Sequence, residues 1–249
     1  MPRQLPAPPP RFVGREADLA ALTAVLDAPG QRPATVVICG MGGVGKTTLA
    51  LHWAHQNLDA YPDGQLYVNL RGFDRAAPPL EPSAVIQGLL AAMGLSPEAD
   101  PADLEAQAAR YRTVVAPRRM LVLLDNARDA EQVRPLLPGA GNCRTVITSR
   151  DDLAGLVATE DARAVPLAPF TPTEAYQMLT TRLGGARTAN EPEAVQRIID
   201  LCGRLPLALA VVAGRASVRP NLPLAQLADE LAGPHALADR KSTRLNSSH

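Results

Sequence analysis

The chain reads as an α/β fold, a five-stranded parallel sheet flanked by helices and followed by a small all-helical subdomain. Three observations predict it. Apolar, β-branched runs alternate with helical stretches as far as residue 167. The first of these runs passes through a glycine-rich turn straight into a helix, and from Thr171 onward only helical spacing remains. At 249 residues and 46% hydrophobic content, the chain can bury such a core.

The elements follow in order. Residues 1–10 are a proline-rich linker, expected to be extended and flexible. Residues 18–26 have helical spacing, which Pro29, Gly30 and Pro33 end. Thr35-Val36-Val37-Ile38-Cys39 is the continuous apolar run of a strand buried on both faces, and a helix is expected over 46–57. Further strands are expected over 65–70, 120–124, 144–148 and 164–167, with helices over 83–93, 101–115, 129–136 and 151–157 between them. The helices of the second part fall at 173–183, 191–202, 206–217 and 224–231. Thr171, followed by Pro172 and by Glu174 three residues on, has the signature of a capping box. This divides the chain into a linker (1–10), an α/β domain (11–168) and a helical lid subdomain (169–238).

The last eleven residues, 239–249, are polar and unlike everything before them. They resemble the translation of a common sequencing adapter and are set aside as a non-native tail, which implies a chain truncated after Ala238. Without them the chain holds 21 arginines and a single lysine, Lys46.

Lys46 closes Gly40-Met41-Gly42-Gly43-Val44-Gly45-Lys46-Thr47, a full match to G-x-x-x-x-G-K-[ST] between a strand and a helix. In such a phosphate-binding loop the backbone N–H groups of Gly40, Gly42, Gly43, Val44 and Gly45 turn toward a phosphate chain, aided by the helix N-terminus. Lys46 would bind the β- and γ-phosphates, Thr47 a Mg²⁺ ion, and Thr48 the α-phosphate. A planar guanidinium is a poor substitute for a compact ammonium there, which accounts for one lysine among so many arginines. The ligands implied are ATP or ADP with Mg²⁺.

Asp125 ends the apolar run Leu121-Val122-Leu123-Leu124 and would hold the metal, directly or through water. An Asp in that place can equally be a helix cap or turn residue. Arg150 closes the strand over 144–148, where strand ends face a ligand crevice. It could sense a γ-phosphate or simply pair with Asp151 or Asp152 at the surface.

Composition narrows the partners. Basic and acidic residues balance at 25 each, so no field points to nucleic acid. No apolar run approaches the ~18 residues of a membrane span, and Cys39, Cys143 and Cys202 lack disulfide or metal spacing. A reducing, cytoplasmic setting is expected.

Five segments in order carry a more specific signal: Phe12-Val13-Gly14-Arg15-Glu16, the loop Gly40 to Thr48, Leu121 to Asn126, Thr148-Ser149-Arg150, and Cys202-Gly203-Arg204-Leu205-Pro206-Leu207-Ala208. Together they resemble the NB-ARC branch of the STAND P-loop signalling ATPases. Tyr67-Val68-Asn69-Leu70-Arg71-Gly72-Phe73-Asp74 is similar to the SARP-type regulators of actinobacteria. The resemblance implies that Val13 and Arg15 help hold the adenine end, that Arg150 is a sensor, and that Pro206 packs against adenine from the lid. Each has a plainer reading, since Val13-Gly14 can be an ordinary turn and Gly203 to Pro206 a helix stop and restart.

Lys46, Asp125, Asn126 and Arg150 form the candidate catalytic set. Asn126 departs from the family, many members of which have a second acid there. An amide can orient water but cannot accept its proton, so ATP hydrolysis should be slow. The resemblance further implies an ADP/ATP switch within a larger transcriptional or signalling regulator. Its partners would be the effector and sensor domains missing here, and a nucleotide-dependent oligomer fits that role. A metabolic or AAA+-like enzyme and an inactive ADP-binding fragment are the alternatives.

Overall fold

The computed structural model describes residues 1–27, 34–74, 76–95, 103–139 and 142–233. The expected helix stop at 29–33, the first residues of the helix expected from 101, and the adapter-like tail lie outside them. Two compact units divide the chain. The first comprises Met1–Gly42 and Lys46–Leu167, the second Gly43–Gly45 and the residues from Ala168 onward.

The first unit is built on five parallel strands: β1 (Ala34–Cys39), β2 (Gln65–Asn69), β3 (Leu121–Ala127), β4 (Arg144–Ser149) and β5 (Arg163–Pro166), in the order β2-β3-β4-β1-β5. Both faces of the sheet are covered, as parallel pairing with helical crossovers requires. Val37, Val122, Leu124 and Ile147 face a core completed by α3 (Pro82–Ala92) and α4 (Leu104–Val115), through Ile86, Leu89, Tyr111 and Val115. The intervening residues Val36, Ile38, Leu123 and Val146 are fully buried too. Against the sheet also lie α1 (Glu16–Leu26) and α2 (Lys46–Gln56), tied together by Trp53 Nε1 donating to Thr23 Oγ1 at 3.0 Å.

Several expectations need correction. The proline-rich start is extended but does not hang free. Gln4 N–H donates to the Gln65 carbonyl and Gln65 N–H to the Pro2 carbonyl, so the segment runs along the outer edge of β2. That docking covers an edge strand that would otherwise present unpaired backbone groups. The helix expected from residue 151 begins later, as α6 (Ala154–Glu160). Asp151 and Asp152 instead form turns ahead of it, their carboxylates accepting the N–H groups of Leu153 and Ala154, and the left-handed Leu153 is the N-cap. The helix expected over 129–136 is a short α5 (Ala130–Val133) that tightens into a 3₁₀ turn at Arg134–Leu136, where Pro135 cannot donate.

Apart from Gly43–Gly45, the secondary structure of the second unit is helical: α7 (Pro172–Leu183), α8 (Gly185–Asn190), α9 (Pro192–Leu201), α10 (Pro206–Ser217) and a last helix over residues 224–233. Thr171 and Glu174 form the expected capping box on α7. The spacing of buried residues on α9 (Ala194, Val195, Ile198, Ile199) and on α10 (Leu209, Val212, Ala213, Ala216) gives each helix one core-facing stripe. α8 has no such stripe, only Thr188 being buried, and no pattern in the sequence announces it. Polar contacts fix the ends: the Glu191 carboxylate accepts the N–H groups of Leu224 and Ala225, and the Arg187 guanidinium donates to the carbonyls of Ala216, Arg219 and Leu222.

Candidate phosphate and metal site

The site begins at the C-terminal end of β1. Gly40, Gly43 and Gly45 all have positive φ, which lets the chain fold back on itself before entering α2. Lys46 Nζ donates to the carbonyls of Gly40 at 2.7 Å and Met41 at 3.0 Å, so the ammonium lies against the loop it follows. Burial and the nearby Arg150 guanidinium pull its pKa below the ordinary lysine value, against the smaller opposing effect of Asp125. A lysine and an arginine close enough to repel each other beside this loop suit a polyanion.

Asp125 is not the helix cap that its place in the sequence allowed. β3 continues to Ala127, and the carboxylate, only 5% exposed, sits inside it. Three hydroxyls donate to it: Thr47 at 2.7 Å and Thr148 at 2.6 Å to Oδ1, and Tyr67 at 3.2 Å to Oδ2. Burial, the Asp125 charge and the hydrogen bond given to it all push the Tyr67 phenol's pKa well up, so Tyr67 stays a donor. β3 reaches the loop from two strands away in the sheet. β4 stands between β3 and β1, and it contributes Thr148 at that point.

The register explains how the acid is aimed. Leu124 pairs with Ile147 but Ala127 with Ser149, so β3 holds one extra residue at Asp125–Asn126. Asn126 absorbs it with φ 58, its N–H donating to Thr148 Oγ1 at 2.9 Å and its carbonyl accepting Gly72 N–H at 2.7 Å. Asparagine tolerates this left-handed conformation better than most residues.

A carboxylate and a threonine hydroxyl in contact, at the head of a loop with a lysine, fit a Mg²⁺ ion that takes its other ligands from phosphate and water. Among the described residues, no cluster of three or more His, Cys, Asp or Glu exists to hold a metal by itself. The three cysteines are buried, and burial raises their thiol pKa values, which argues against thiolate chemistry.

The other expected residues are placed as follows. Thr48 is exposed on the first turn of α2. Val13 is half-buried, Gly14 and Arg15 are left-handed, and Arg15, 7% exposed, pairs with Asp18 at 3.3 Å. Phe12 stacks on His52 with centroids 3.7 Å apart, holding that segment on α2. The Arg150 guanidinium lies 4.9 Å over the Phe73 ring rather than at the side chains of Asp151 or Asp152. Pro206 opens α10, within the unit that includes Gly43–Gly45, and Leu207 N–H donates to the Gly43 carbonyl at 3.1 Å. Sequence reasoning assigned no role to Thr148, Tyr67 or Phe73, although all three lie in segments that carried the resemblance.

Comparison with known proteins finds a matching family model and several relatives. Residues 11–247 match the family model described as an AAA ATPase domain. The regulatory protein AfsR of Streptomyces coelicolor is 44% identical over 237 residues, covering 93% of this chain and 23% of the relative. The disease susceptibility protein LOV1 of Arabidopsis thaliana is 25% identical over 253 residues, covering 93% of this chain and 26% of its own length. Among solved structures, a signal transduction ATPase with numerous domains (STAND), with a tetratricopeptide repeat sensor, from Pyrococcus horikoshii, matches with a TM-score of 0.53 at 22% identity. That match covers 85% of this chain and 31% of the other. The chain thus spans less than a quarter of the length of the AfsR relative.

Proposed function

Starting from the premise that the chain belongs to the AAA ATPase domain family, as the P-loop ATPase module of regulator-like proteins, we propose that it is an adenine-nucleotide switch. It binds ATP or ADP with Mg²⁺, hydrolyses ATP slowly, and reports the nucleotide state to the rest of a larger regulator. One observation carries the reading: Asp125, held by Thr47 and Thr148, is followed directly by a left-handed Asn126 rather than by an acid.

Each residue then has a defined task. Lys46 leaves its loop carbonyls to bind β- and γ-phosphate oxygens. Thr47 and Asp125 hold Mg²⁺, which supplies charge stabilisation when bound. Thr47 can keep donating its proton to Asp125 while offering a lone pair to the metal. Asn126 can orient a water molecule but cannot take its proton, so turnover relies on positioning and electrostatics alone. Arg150 responds to the γ-phosphate. Val13, Arg15 and Pro206 serve the adenine end, and Thr48 the α-phosphate. Because ATP and ADP differ only in the group that Lys46 and Arg150 meet, the nucleotide can bias an equilibrium between two states of the protein.

Calorimetry tests the reading. The parent chain binds Mg-ADP and a non-hydrolysable ATP analogue, Lys46→Ala binds neither, and Asp125→Ala loses more affinity for the Mg-bound analogue than for ADP. Equal ADP affinity in Lys46→Ala and parent would remove the site. Phosphoryl transfer to a small-molecule acceptor at ~1–100 per second would make the protein a metabolic enzyme instead.

A further inference from the structure

Arg150 ends at the candidate phosphate site, but nothing in its own strand aims it. It follows β4 directly, is exposed, and could take many rotamers. What it meets is the Phe73 ring, at 4.9 Å, and the P-loop: a Cβ built on Gly42 would lie 3.7 Å from its Cζ. Phe73 belongs to the turn after β2, two strands away in the sheet.

That turn is fixed from several directions. Arg71 is left-handed, φ 56, and its N–H donates to the Asn69 carboxamide at 2.9 Å. Leu70 N–H donates to the Asp125 carbonyl at 2.8 Å and Gly72 N–H to the Asn126 carbonyl at 2.7 Å, which lays the turn on the tail of β3. Gln132 holds its other side, Nε2 donating to the carbonyls of Leu70 and Leu80. On the Arg150 side, Ser149 Oγ donates to the Ala127 carbonyl at 2.7 Å, tying the end of β4 to the same tail. Phe73 and Arg150 therefore each stand one residue beyond an anchor, and the two anchors share the β3 end that carries Asp125. A ring that springs from a backbone anchored in this way is a platform on which a guanidinium can rest through its cation–π attraction.

We propose that Phe73 is a positioning residue that holds the Arg150 guanidinium beside the P-loop, and so sets how strongly the protein discriminates ATP from ADP. The inference rests on the reading of Arg150 as the γ-phosphate sensor. A platform restricts the arginine before the ligand arrives, so less freedom is lost on binding, and the benefit goes to the nucleotide that has a γ-phosphate.

The test is calorimetry on the full chain with ADP and with a non-hydrolysable ATP analogue, both with Mg²⁺, reading the ratio of the two affinities. Phe73→Leu keeps apolar bulk and removes the ring's charge distribution. It should narrow the ratio in favour of ADP by roughly two- to fivefold, the equivalent of ~0.5–1 kcal/mol for an exposed cation–π pair. Phe73→Trp keeps the platform and should hold or widen the ratio. In an Arg150→Ala background, Phe73→Leu should leave the ratio unchanged, because the ring has no cation left to hold.

If Arg150→Ala narrows the ratio and Phe73→Leu does not, the inference falls alone. An equal effect of Phe73→Leu with and without Arg150 also overturns it, by exposing a purely structural role. If Arg150→Ala leaves the ratio unchanged, the sensor reading fails and the inference falls with it. Should Phe73→Leu not fold, Phe73→Trp decides, and a ratio narrowed by the tryptophan refutes the platform.

Discussion

Gly72→Ala should damage this protein far more than a methyl group ordinarily does. A Cβ built on Gly72 would lie 2.3 Å from the Arg128 nitrogen and 2.6 Å from both the Ala127 carbonyl carbon and the Asn126 oxygen. All three are backbone atoms, so no side-chain rotation can relieve the overlap. Reaching an ordinary contact of about 3.5 Å requires the turn to retreat by roughly 1 Å. Such a retreat would break the 2.7 Å bond from Gly72 N–H to the Asn126 carbonyl. Overpacking strain costs ~1–3 kcal/mol and the lost hydrogen bond ~0.5–1.5 kcal/mol, so a destabilisation of about 2–4 kcal/mol is expected. Gly88, inside α3, is the control. Nothing lies within 4 Å of its Cβ position, so Gly88→Ala should stabilise by ~0.5–1 kcal/mol. Urea unfolding followed by circular dichroism gives both numbers. If Gly72→Ala falls within 1 kcal/mol of the parent, the turn does not rest on the β3 tail as described, and the anchoring of Phe73 goes with it.

Two further outcomes test the rest of the molecule. Arg187 satisfies three carbonyls at and beyond the end of α10, at 2.8, 3.2 and 2.8 Å. Arg187→Ala should cost about 1–3 kcal/mol and lower the amide hydrogen-exchange protection of the helical unit, whereas unchanged protection would show these bonds to be dispensable. The Tyr111 hydroxyl is buried with no partner among the described residues. Tyr111→Phe should therefore leave stability unchanged or raise it by up to ~1 kcal/mol, and a loss larger than that would mean the hydroxyl is satisfied.

Most of the fold was legible because its signals are local. Five apolar runs marked the strands, Pro172, Pro192 and Pro206 fell in the first turns of helices, and Thr171 with Glu174 announced a cap. At the start of α6 a competing local bond overrides the helix signal. Asp151 and Asp152 have helix-start chemistry but use it in turns to the second residue along, which moves α6 downstream. α8 was invisible because it buries one threonine instead of an apolar stripe. The proline-rich start looked like a tether, because the partner that orders it, Gln65 at the edge of β2, lies more than 60 residues away in the chain.

Chain order alone determined the phosphate-binding loop and the identity of its lysine, since a strand, a glycine turn and a helix N-terminus are contiguous in sequence. Asp125 could be named from its strand but not given partners. Thr47, Thr148 and Tyr67 reach it from α2, β4 and β2, a helix and two strands that only the tertiary fold brings to β3. The extra residue in β3, the left-handed Asn126 and the seat of Arg150 on Phe73 are likewise tertiary facts. A bulge is the mismatch between one strand and its neighbour, and a ring platform is a meeting of two strand ends. Neither can be read from one segment, because each is defined by the distance between two.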